Sequence, residues 1–575
     1  MKQAPGSLVD ILGWRAKRQT HKLSYRFLLD GETEACSISY GELDARARSI
    51  GAQLQACSRA GDRVLLLLPT GLDFIAAFFG CLYAKVIVIP VPPPHPGRLE
   101  KSMPSVLRIA KDAGPVAAIL DASLASAIQV HEIETVAPFL EMHLLVPDEE
   151  QADTWASRWQ PPDLEKEDVA FLQYTSGSTT LPKGVVVSHG NLLHNLQVIK
   201  TAFDQSPASE TVIWLPPFHD MGLIGGILQP LYTGNPVTLL PHLLFVQRPI
   251  RWLQAITRYQ ATTSGGPNFA YELCLQKVRP EQKELLDLSS WEVAFNGAEP
   301  VHHQTLDRFA AYFASCGFRR EAFAPCYGLA EATLMVTGGP TNRLPVQQHL
   351  LKSGLAENKV ILAAEANEQT QTVVSSGRNI GAQSICIVNV ETGEVCLPEQ
   401  IGEIWLQGPS VAKGYWQHPS ATAHTFGATL SEGQEGPFLR TGDLGFLLDG
   451  ELYITGRIKN LILHAGKNHY PHDLERTVQE AHPAVRPQGC AAFSILTEEG
   501  EAVVLVVEIQ RDFRNEPTAI KRAIRKAIAE IHQLPLSEII LTLPGSIPRT
   551  TSGKIKHFRC QENYLSGMFK EIPAR

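Results

Sequence analysis

The sequence predicts a multidomain α/β protein, with two α/β layers and a small β-rich subdomain in its larger part and a smaller α+β region at its end. Three observations carry that prediction. At 575 residues the chain is too long for one hydrophobic core, so it divides into at least two domains. Up to about residue 340, near-continuous Val/Ile/Leu runs alternate with helical patterns, as in parallel sheets covered on both faces. From Ser384 to Ile454 the texture changes to short strands with turn signals.

Taken in order, RVLLLLP (63–69) opens the layered region. Phe74–Val91 follows, interrupted by Gly80 and Lys85 and running into Pro90 and Pro92–Pro94. It is too broken to span a bilayer and reads as a buried helix over FIAAFFGCLYA (74–84), then a strand over KVIVIPV (85–91). The polar, Trp- and Pro-containing stretch 148–168 breaks the pattern and is expected to join the two layers. TVIWLPP (211–217) resumes it, and SICIVNV, GEIWLQG and GELYITG form the β-rich part. After Gly456, AVVLVVEI (502–509) reads as a strand and AIKRAIRKAIAEIH (519–532) as an amphipathic helix whose basic face is solvated.

A net charge of −8 argues against a broad grip on nucleic acid, though a phosphate site needs only local donors and a cation or two. Ten scattered cysteines with no CxxC argue against a zinc site or a disulfide framework and fit a reducing compartment. The N-terminus lacks the apolar core of a signal peptide. Together these predict a cytoplasmic enzyme without a membrane span.

The first chemical signal is YTSGSTTLPKGVVVSH, Tyr174–His189. Hydroxyls and glycine ahead of a lysine suit a loop that wraps polyphosphate: Thr175, Ser176 and Ser178 supply donors, Gly177 lets the backbone approach and Lys183 supplies charge. No GK[ST] follows at the Walker spacing. A Ser/Thr/Gly string alone is an ordinary surface loop; ending in PKG after the apolar run VAFLQY, it is more specific.

That string resembles the phosphate loop of the acyl-adenylate-forming superfamily, and five further motifs match it in order. NGAEPV (296–301) is similar to the segment bordering adenine, with Gly297, Ala298 and Glu299. CYGLAEAT (326–333) resembles the next, in which the resemblance implies that Tyr327, beside Gly328, stacks on the base and Glu331 ligands Mg²⁺. RTGD (440–443) implies that Asp443 takes hydrogen bonds from the ribose hydroxyls. GRIKN (456–460) implies Arg457 on ribose or phosphate and Lys459 at a hinge, and PRTTSGKIKH (548–557) aligns Lys554 with the catalytic lysine of a mobile C-terminal domain. In isolation Lys554 would read as an exposed loop lysine; its place in the series changes that. The implied reaction is attack of a carboxylate oxygen on the α-phosphorus of ATP with loss of pyrophosphate, run by positioning and charge neutralisation. Lys554 would contact the attacking and α-phosphate oxygens, and Mg²⁺ on Glu331 would bridge phosphates.

Two residues depart from the family pattern. Thr180 stands where relatives have Gly, which stiffens the phosphate loop, and Asn460 follows the hinge lysine where Asp is common. Neither removes a reacting group.

Three features resemble the fatty acyl-AMP ligase branch. LPPFHDMGLIGGILQPLYTGN (215–235) is similar to its acyl-pocket region. There His219 and Asp220 would lie near the acyl phosphate, while Met221, Gly222, Gly225 and Gly226 would border space for a chain; the competing reading gives these glycines to helix–strand packing. The stretch between Glu331 and Asp443 is longer than in acyl-CoA synthetases, with the excess at about 350–379. In the ligases an insertion here is thought to restrain the C-terminal domain and disfavour CoA; the plainer reading is a tolerated surface loop. KNHYPHDLE (467–475) resembles the ligase form of the hinge-proximal segment.

The expectation is therefore an N-terminal adenylation domain over 1–458, with the insertion at 350–379 and the β-rich subdomain at 384–455, and a mobile lid domain over 459–575. The acceptor would be the phosphopantetheine thiol of a separate acyl carrier protein and the donor a fatty acid. An acyl-CoA synthetase and a catalytically silent acyl-nucleotide binding protein are the alternatives. HHQTLD (302–307) matches an acyltransferase signature but has Arg308 in place of the following Gly, and reads as coincidence.

Overall fold

The computed structural model describes residues 5–130, 139, 141–148, 152–174, 182–339, 341–431, 436–464, 467–497, 500–550 and 553–573. Its first layer is a six-stranded sheet in the order His143–Leu145, Ala117–Leu120, Arg63–Leu67, Ile87–Pro90, Val169–Tyr174, Gly184–Ser188. All neighbours are parallel except the last pair, which is antiparallel. Side chains alternate across a strand, so the run RVLLLL divides between two cores. Leu65 and Leu67 join Ile87, Ile89 and Met103 on one face; Val64 and Leu66 join Val88, Phe78 and Phe171 on the other. The helix Leu72–Tyr83 is buried almost all round because the helix Tyr40–Cys57 covers its outer side. Gly80 permits this contact: a Cβ there would sit 2.6 Å from Ile50 Cβ.

The segment expected to join the layers does something else. Trp159 packs on Tyr83 with ring centroids 4.9 Å apart, and its Nε1 donates to the Tyr83 carbonyl at 2.9 Å. The chain then returns to the first sheet with Val169–Tyr174 and crosses to the second only after the helix His189–Ala202. The stretch 148–168 leads into an inner strand of the same sheet, so it closes one layer rather than linking two.

The second sheet has thirteen strands. A parallel centre, from Leu23–Leu28 through Val237–Leu239, Thr211–Ile213, Thr263–Gly266 and Val293–Asn296 to Phe323–Gly328, is extended by antiparallel strands beyond each end. At one end lies the N-terminal hairpin Leu23–Leu28/Glu34–Ser39. At the other, Met335–Gly338 and Arg378–Asn379 lead into Glu451–Arg457, Leu439–Leu448, Gly402–Gln407 and Ser384–Val388. The β-rich part is thus an extension of the α/β sheet: Arg378 pairs with Glu451 and carries the hydrogen bonding across.

The insertion region folds as a hairpin, Gln347–Leu351 with Thr370–Val374, and a short helix Lys352–Ala356. Leu350, Leu355, Val360 and Val373 pack with Phe446, Tyr453 and Tyr470, so it shares a core with the large sheet and the start of the C-terminal region and is more than a surface loop.

The smaller C-terminal domain is built on a three-stranded sheet, Val485–Thr497, Gly500–Ile509 and Glu538–Thr542. Alternation again splits one apolar run: Val503, Leu505 and Val507 face the helix Pro517–His532, whereas Val504 and Val506 face Cys560 of the helix His557–Leu565. Ile520, Ile524 and Ile528, four apart, form the buried stripe of Pro517–His532, leaving Arg522, Arg525 and Lys526 exposed. Among the described residues no helix is long and apolar enough to cross a membrane.

Candidate active site

A cavity of about 1670 Å³ runs between the C-terminal ends of the parallel strands and the C-terminal domain. Crevices at strand C-termini are where open α/β sheets place ligands. Its wall includes Lys183, His219, Asp220, Met221, Gly225, Ala298, Glu299, Tyr327, Gly328, Glu331, Asp443, Arg457, Lys459 and Lys554.

The turn after Val293–Asn296 supplies the segment expected beside adenine. Gly297 crosses strand Phe323–Gly328 so closely that a Cβ would lie 2.6 Å from the Cys326 carbonyl oxygen. Ala298 adopts φ 70°, a conformation costing a non-glycine residue on the order of 1–3 kcal/mol and found where surroundings impose it. Glu299 Oε1 accepts from the Phe269 N–H at 2.6 Å; burial pushes its carboxyl above the usual range, against that hydrogen bond and the pull of Lys554 and Arg549.

Tyr327, Asp443 and Arg457 meet through strand pairing. Asp443 lies opposite Arg457 in the antiparallel pair, which brings Arg457 Nε to 2.5 Å from Asp443 Oδ1. The Tyr327 hydroxyl donates to Asp443 Oδ2 at 2.7 Å. The Asp443 carboxylate raises the Arg457 pKa against the effect of burial. An ionised carboxylate has about four acceptor positions; the Tyr327 hydroxyl and Arg457 Nε and Nη2, the last at 3.5 Å, take three of them, so Asp443 keeps capacity for about one further donor.

Glu331 sits on a short turn, Ala330–Ala332, where its Oε1 accepts from the Tyr415 hydroxyl at 2.8 Å. The Lys183 ammonium lies over the Tyr415 ring, 4.9 Å from its centroid. One tyrosine thus ties the expected phosphate lysine to the expected magnesium carboxylate. Thr175, Ser176, Gly177, Ser178 and Thr180 lie outside the described residues.

His219 and Asp220 form an ion-pair contact, Nδ1 to Oδ1 at 2.6 Å, and the same oxygen accepts from the Met221 N–H at 2.7 Å. Burial raises the Asp220 pKa, but His219 and then Lys554 outweigh it and hold the carboxyl below its ordinary value. The helix that follows, Met221–Leu228, is a π-helix, a rare form that recurs at functional sites. Its glycines divide by role. A Cβ on Gly222 would lie 2.1 Å from the Pro216 carbonyl oxygen and one on Gly226 would lie 2.9 Å from Ile213, so both serve close packing. A Cβ on Gly225 would meet only Leu334, at 3.6 Å, and Gly225 with Met221 borders the cavity. The expectation that all three glycines open space for a chain is therefore corrected to Gly225 alone.

Lys554 enters from the C-terminal domain on a tight hairpin, with the Thr550 N–H on the Lys554 carbonyl at 2.8 Å and the Lys554 N–H on Thr550 Oγ1 at 3.0 Å. Gly553 approaches the Phe269 ring, so the hairpin rests on the large domain. The ammonium stands in the field of Asp220, Glu299 and Asp443, and burial draws its pKa down against their attraction. Lys459 is exposed on a single turn, Ile458–Asn460, where the chain leaves the large sheet.

The insertion touches the C-terminal domain directly. Gln371 Nε2 donates to Asp473 Oδ1 at 3.0 Å, Asn468 Nδ2 donates to Asn358 Oδ1 at 3.0 Å, and Tyr470 is buried in the core that the insertion shares with the large sheet.

Sequence reasoning missed Tyr415 and Phe269. Tyr415 lies in GYWQHP and Phe269 in PNFAY, neither of which carries a charge or phosphate signal. Their roles come from neighbours 84 and hundreds of positions away.

Residues 12–416 match the family described as AMP-binding enzyme, and residues 459–573 match the AMP domain described as Disco-interacting protein 2-like. The chain is 44% identical to the medium-chain-fatty-acid–[acyl-carrier-protein] ligase JamA of Moorena producens, over 99% of this chain and 97% of that one. It is similar to the crystal structure of a fatty acid AMP ligase from Legionella pneumophila, at 42% identity and TM-score 0.76, covering 99% of this chain and 97% of that chain. A fatty acyl-adenylate ligase from L. pneumophila in complex with acyl adenylate and pyrophosphate matches at 41% identity and TM-score 0.76, with the same coverage. With this agreement along its whole length, the chain belongs to the AMP-binding, acyl-adenylate-forming enzymes, within their fatty acyl-AMP ligase branch.

Proposed function

We propose that this enzyme activates a medium- or long-chain fatty acid with ATP, releasing pyrophosphate, and passes the acyl group from the acyl-AMP to the phosphopantetheine thiol of a separate carrier protein. The observation that carries the reading is the placement of Lys554: a lysine of the C-terminal domain faces Asp220, Glu299 and Asp443 inside a cavity also walled by Tyr327, Glu331 and Arg457.

Each group then has a chemical task. Tyr327 and the 297–299 turn border the base, and Asp443 with Arg457 orients the ribose. Lys554 neutralises charge growing on the α-phosphate as the carboxylate attacks, and Lys183 with the 175–178 loop receives the β- and γ-phosphates. His219, held by Asp220, lies where the acyl carboxylate would meet the phosphate, and Gly225 and Met221 border the chain. Mg²⁺ is commonly held by one or two carboxylates plus substrate phosphates, and Glu331 on the cavity wall fits that pattern; when bound, the ion neutralises phosphate charge. We take Lys459 as the hinge between an adenylation domain (1–458) and a lid (459–575), so that Lys554 withdraws for thiol transfer. Work in the cytoplasm, where carrier proteins and reduced thiols are found, fits the chain.

The contacts of the 347–374 hairpin with Asn468, Tyr470 and Asp473 favour this reading over an acyl-CoA synthetase, because they brace the lid in its present position. Product analysis with ATP, Mg²⁺ and dodecanoate tests the choice. Acyl-AMP should persist with CoA present and be consumed by a phosphopantetheinylated carrier protein. Efficient formation of acyl-CoA would sink the ligase reading, and absence of ATP–pyrophosphate exchange would leave a silent binding protein.

A further inference from the structure

The cavity that holds Lys554 does not end at the C-terminal ends of the strands. One branch runs inward along the large sheet, and its wall includes Ile199, Phe203, Met221, Gly225, Leu334 and Met335. These groups suit an alkyl chain. Two polar side chains wall the same branch, Gln205 and Thr263, and they are only 5% and 3% exposed.

The strands place both at the inner end. Thr263 opens the strand Thr263–Gly266, so at about 3.3 Å per residue it lies about 10 Å below the end that faces the nucleotide residues. Ser264 accepts from Trp252 Nε1 at 2.7 Å and donates to the Val212 carbonyl at 2.6 Å, which takes its side chain to one face of the sheet. Alternation therefore turns Thr263 and Gly265 to the other face. On that face Phe295, paired with Gly265, stacks on Phe203 with ring centroids 6.0 Å apart. Gln205 stands two residues beyond Phe203, its N–H fixed on the Lys200 carbonyl at 3.1 Å.

The hydrogen bonding of the pair is incomplete. The Gln205 and Gln229 amides meet at 2.9 Å, which uses one end of the Gln205 amide. The other end of that amide and the Thr263 hydroxyl have no partner among the described residues, although both residues are more than nine-tenths buried. An alkyl terminus pressed against them would leave two polar groups unpaired, which is costly. A hydroxyl both donates and accepts, so it can serve Thr263 and either end of an amide.

We propose that Gln205 and Thr263 form a subsite for a hydroxyl at the far end of the acyl chain, so that the preferred substrates are hydroxy fatty acids rather than plain alkanoic acids. The inference rests on the fatty-acid-activating reading above. A site built to pair with a hydroxyl discriminates against the analogue that lacks it, because its own polar groups are then stranded.

The test is kcat/KM for acyl-AMP formation on straight-chain acids from hexanoate to dodecanoate and on the ω-hydroxy acid of each length. At the length that reaches the pair, the hydroxy acid should exceed the plain acid by about tenfold, the scale of one neutral hydrogen bond. Thr263→Val removes a hydroxyl that holds nothing else among the described residues, so it should keep the melting temperature and erase most of that preference through the KM for the acid, with the KM for ATP unchanged. Gln205→Leu should do the same; it also takes a partner from Gln229, so Thr263→Val decides the matter if that variant fails to fold. Plain acids used as well as hydroxy acids at every length overturn the proposal, as does a hydroxy preference that survives Thr263→Val. A wild-type enzyme that forms no adenylate from any acid of the panel defeats the functional reading itself, whereas adenylation without hydroxy preference defeats only this subsite.

Discussion

Asp443 and Lys554 face one cavity but are held in different ways. Asp443 is fixed within a sheet: it is 5% exposed, its N–H donates to Thr441 Oγ1 at 3.0 Å, and Tyr327 and Arg457 occupy its oxygens. Lys554 rides on a hairpin whose hydrogen bonds are internal to the smaller domain, and it reaches the large domain through Phe269 and through charge. The proposed nucleotide half of the site is thus part of the fold, while the proposed catalytic lysine depends on where a whole domain sits. One cavity can then serve two successive reactions without rebuilding its nucleotide contacts.

The largest expected effect breaks that comparison at the lysine. Lys554→Ala should slow adenylate formation about 10³-fold, the scale of losing one preorganised donor to transition-state charge. Transfer from supplied acyl-AMP should proceed, because the lysine acts only in the first reaction. Asp443→Asn should lower adenylation by about 10², and it should impair transfer from supplied acyl-AMP as well, because the ribose contact serves both steps. Measuring both half-reactions on each variant checks the division; equal loss of both in Lys554→Ala would remove it.

A milder contrast lies within the π-helix. Leucine at position 226 must displace Ile213, so Gly226→Leu should lower the thermal midpoint by several degrees, for an overpacking cost of about 1–3 kcal/mol. Leucine at position 225 projects toward the cavity, so Gly225→Leu should keep the midpoint near wild type and shift preference to shorter acids. Chain-length profiles beside melting curves read this out, and matching profiles for the two variants would dissolve the distinction.

What could be read from the sequence follows the same divide. Alternating apolar runs and ordered motifs placed both layers, the β-rich extension and the cavity-wall residues Glu299, Tyr327, Glu331, Asp443 and Lys554, because each depends on local pattern. The pairing of Arg378 with Glu451, which fuses the β-rich part to the α/β sheet, has no local signature. Nor does the contact of Tyr415 with both Lys183 and Glu331. Gly222, Gly225 and Gly226 look alike in the string MGLIGGIL, and only their neighbours at Pro216, Ile213 and Leu334 separate packing from cavity wall. The stretch 148–168 was misread because polarity and proline mark a break in a layer without saying which layer resumes.

The smallest effect opposes the two domains through histidine titration. His189, 1% exposed in the large domain, is pushed down to about 4 by burial, with Asp168 and Asp10 acting weakly the other way. Between its ordinary 6.5 and that value the unfolded chain binds a proton the folded chain refuses, so acid destabilises the large domain by up to about 1.4 kcal/mol per pH unit. In the lid, burial lowers the His557 pKa but Glu475, at 2.6 Å from its Nε2, raises it further, for a net rise. A raised folded pKa contributes stability that is fully present below the ordinary value near 6.5 and is lost as pH climbs through the folded one. His189→Asn should therefore flatten the loss of denaturant resistance between pH 7 and 5, while His557→Gln should remove a gain that builds as pH falls through the raised folded pKa and is complete near 6.5. If both substitutions change the pH dependence with the same sign, the two domains do not differ electrostatically in this way, and the lid is tied to its neighbour more tightly than its separate cores imply.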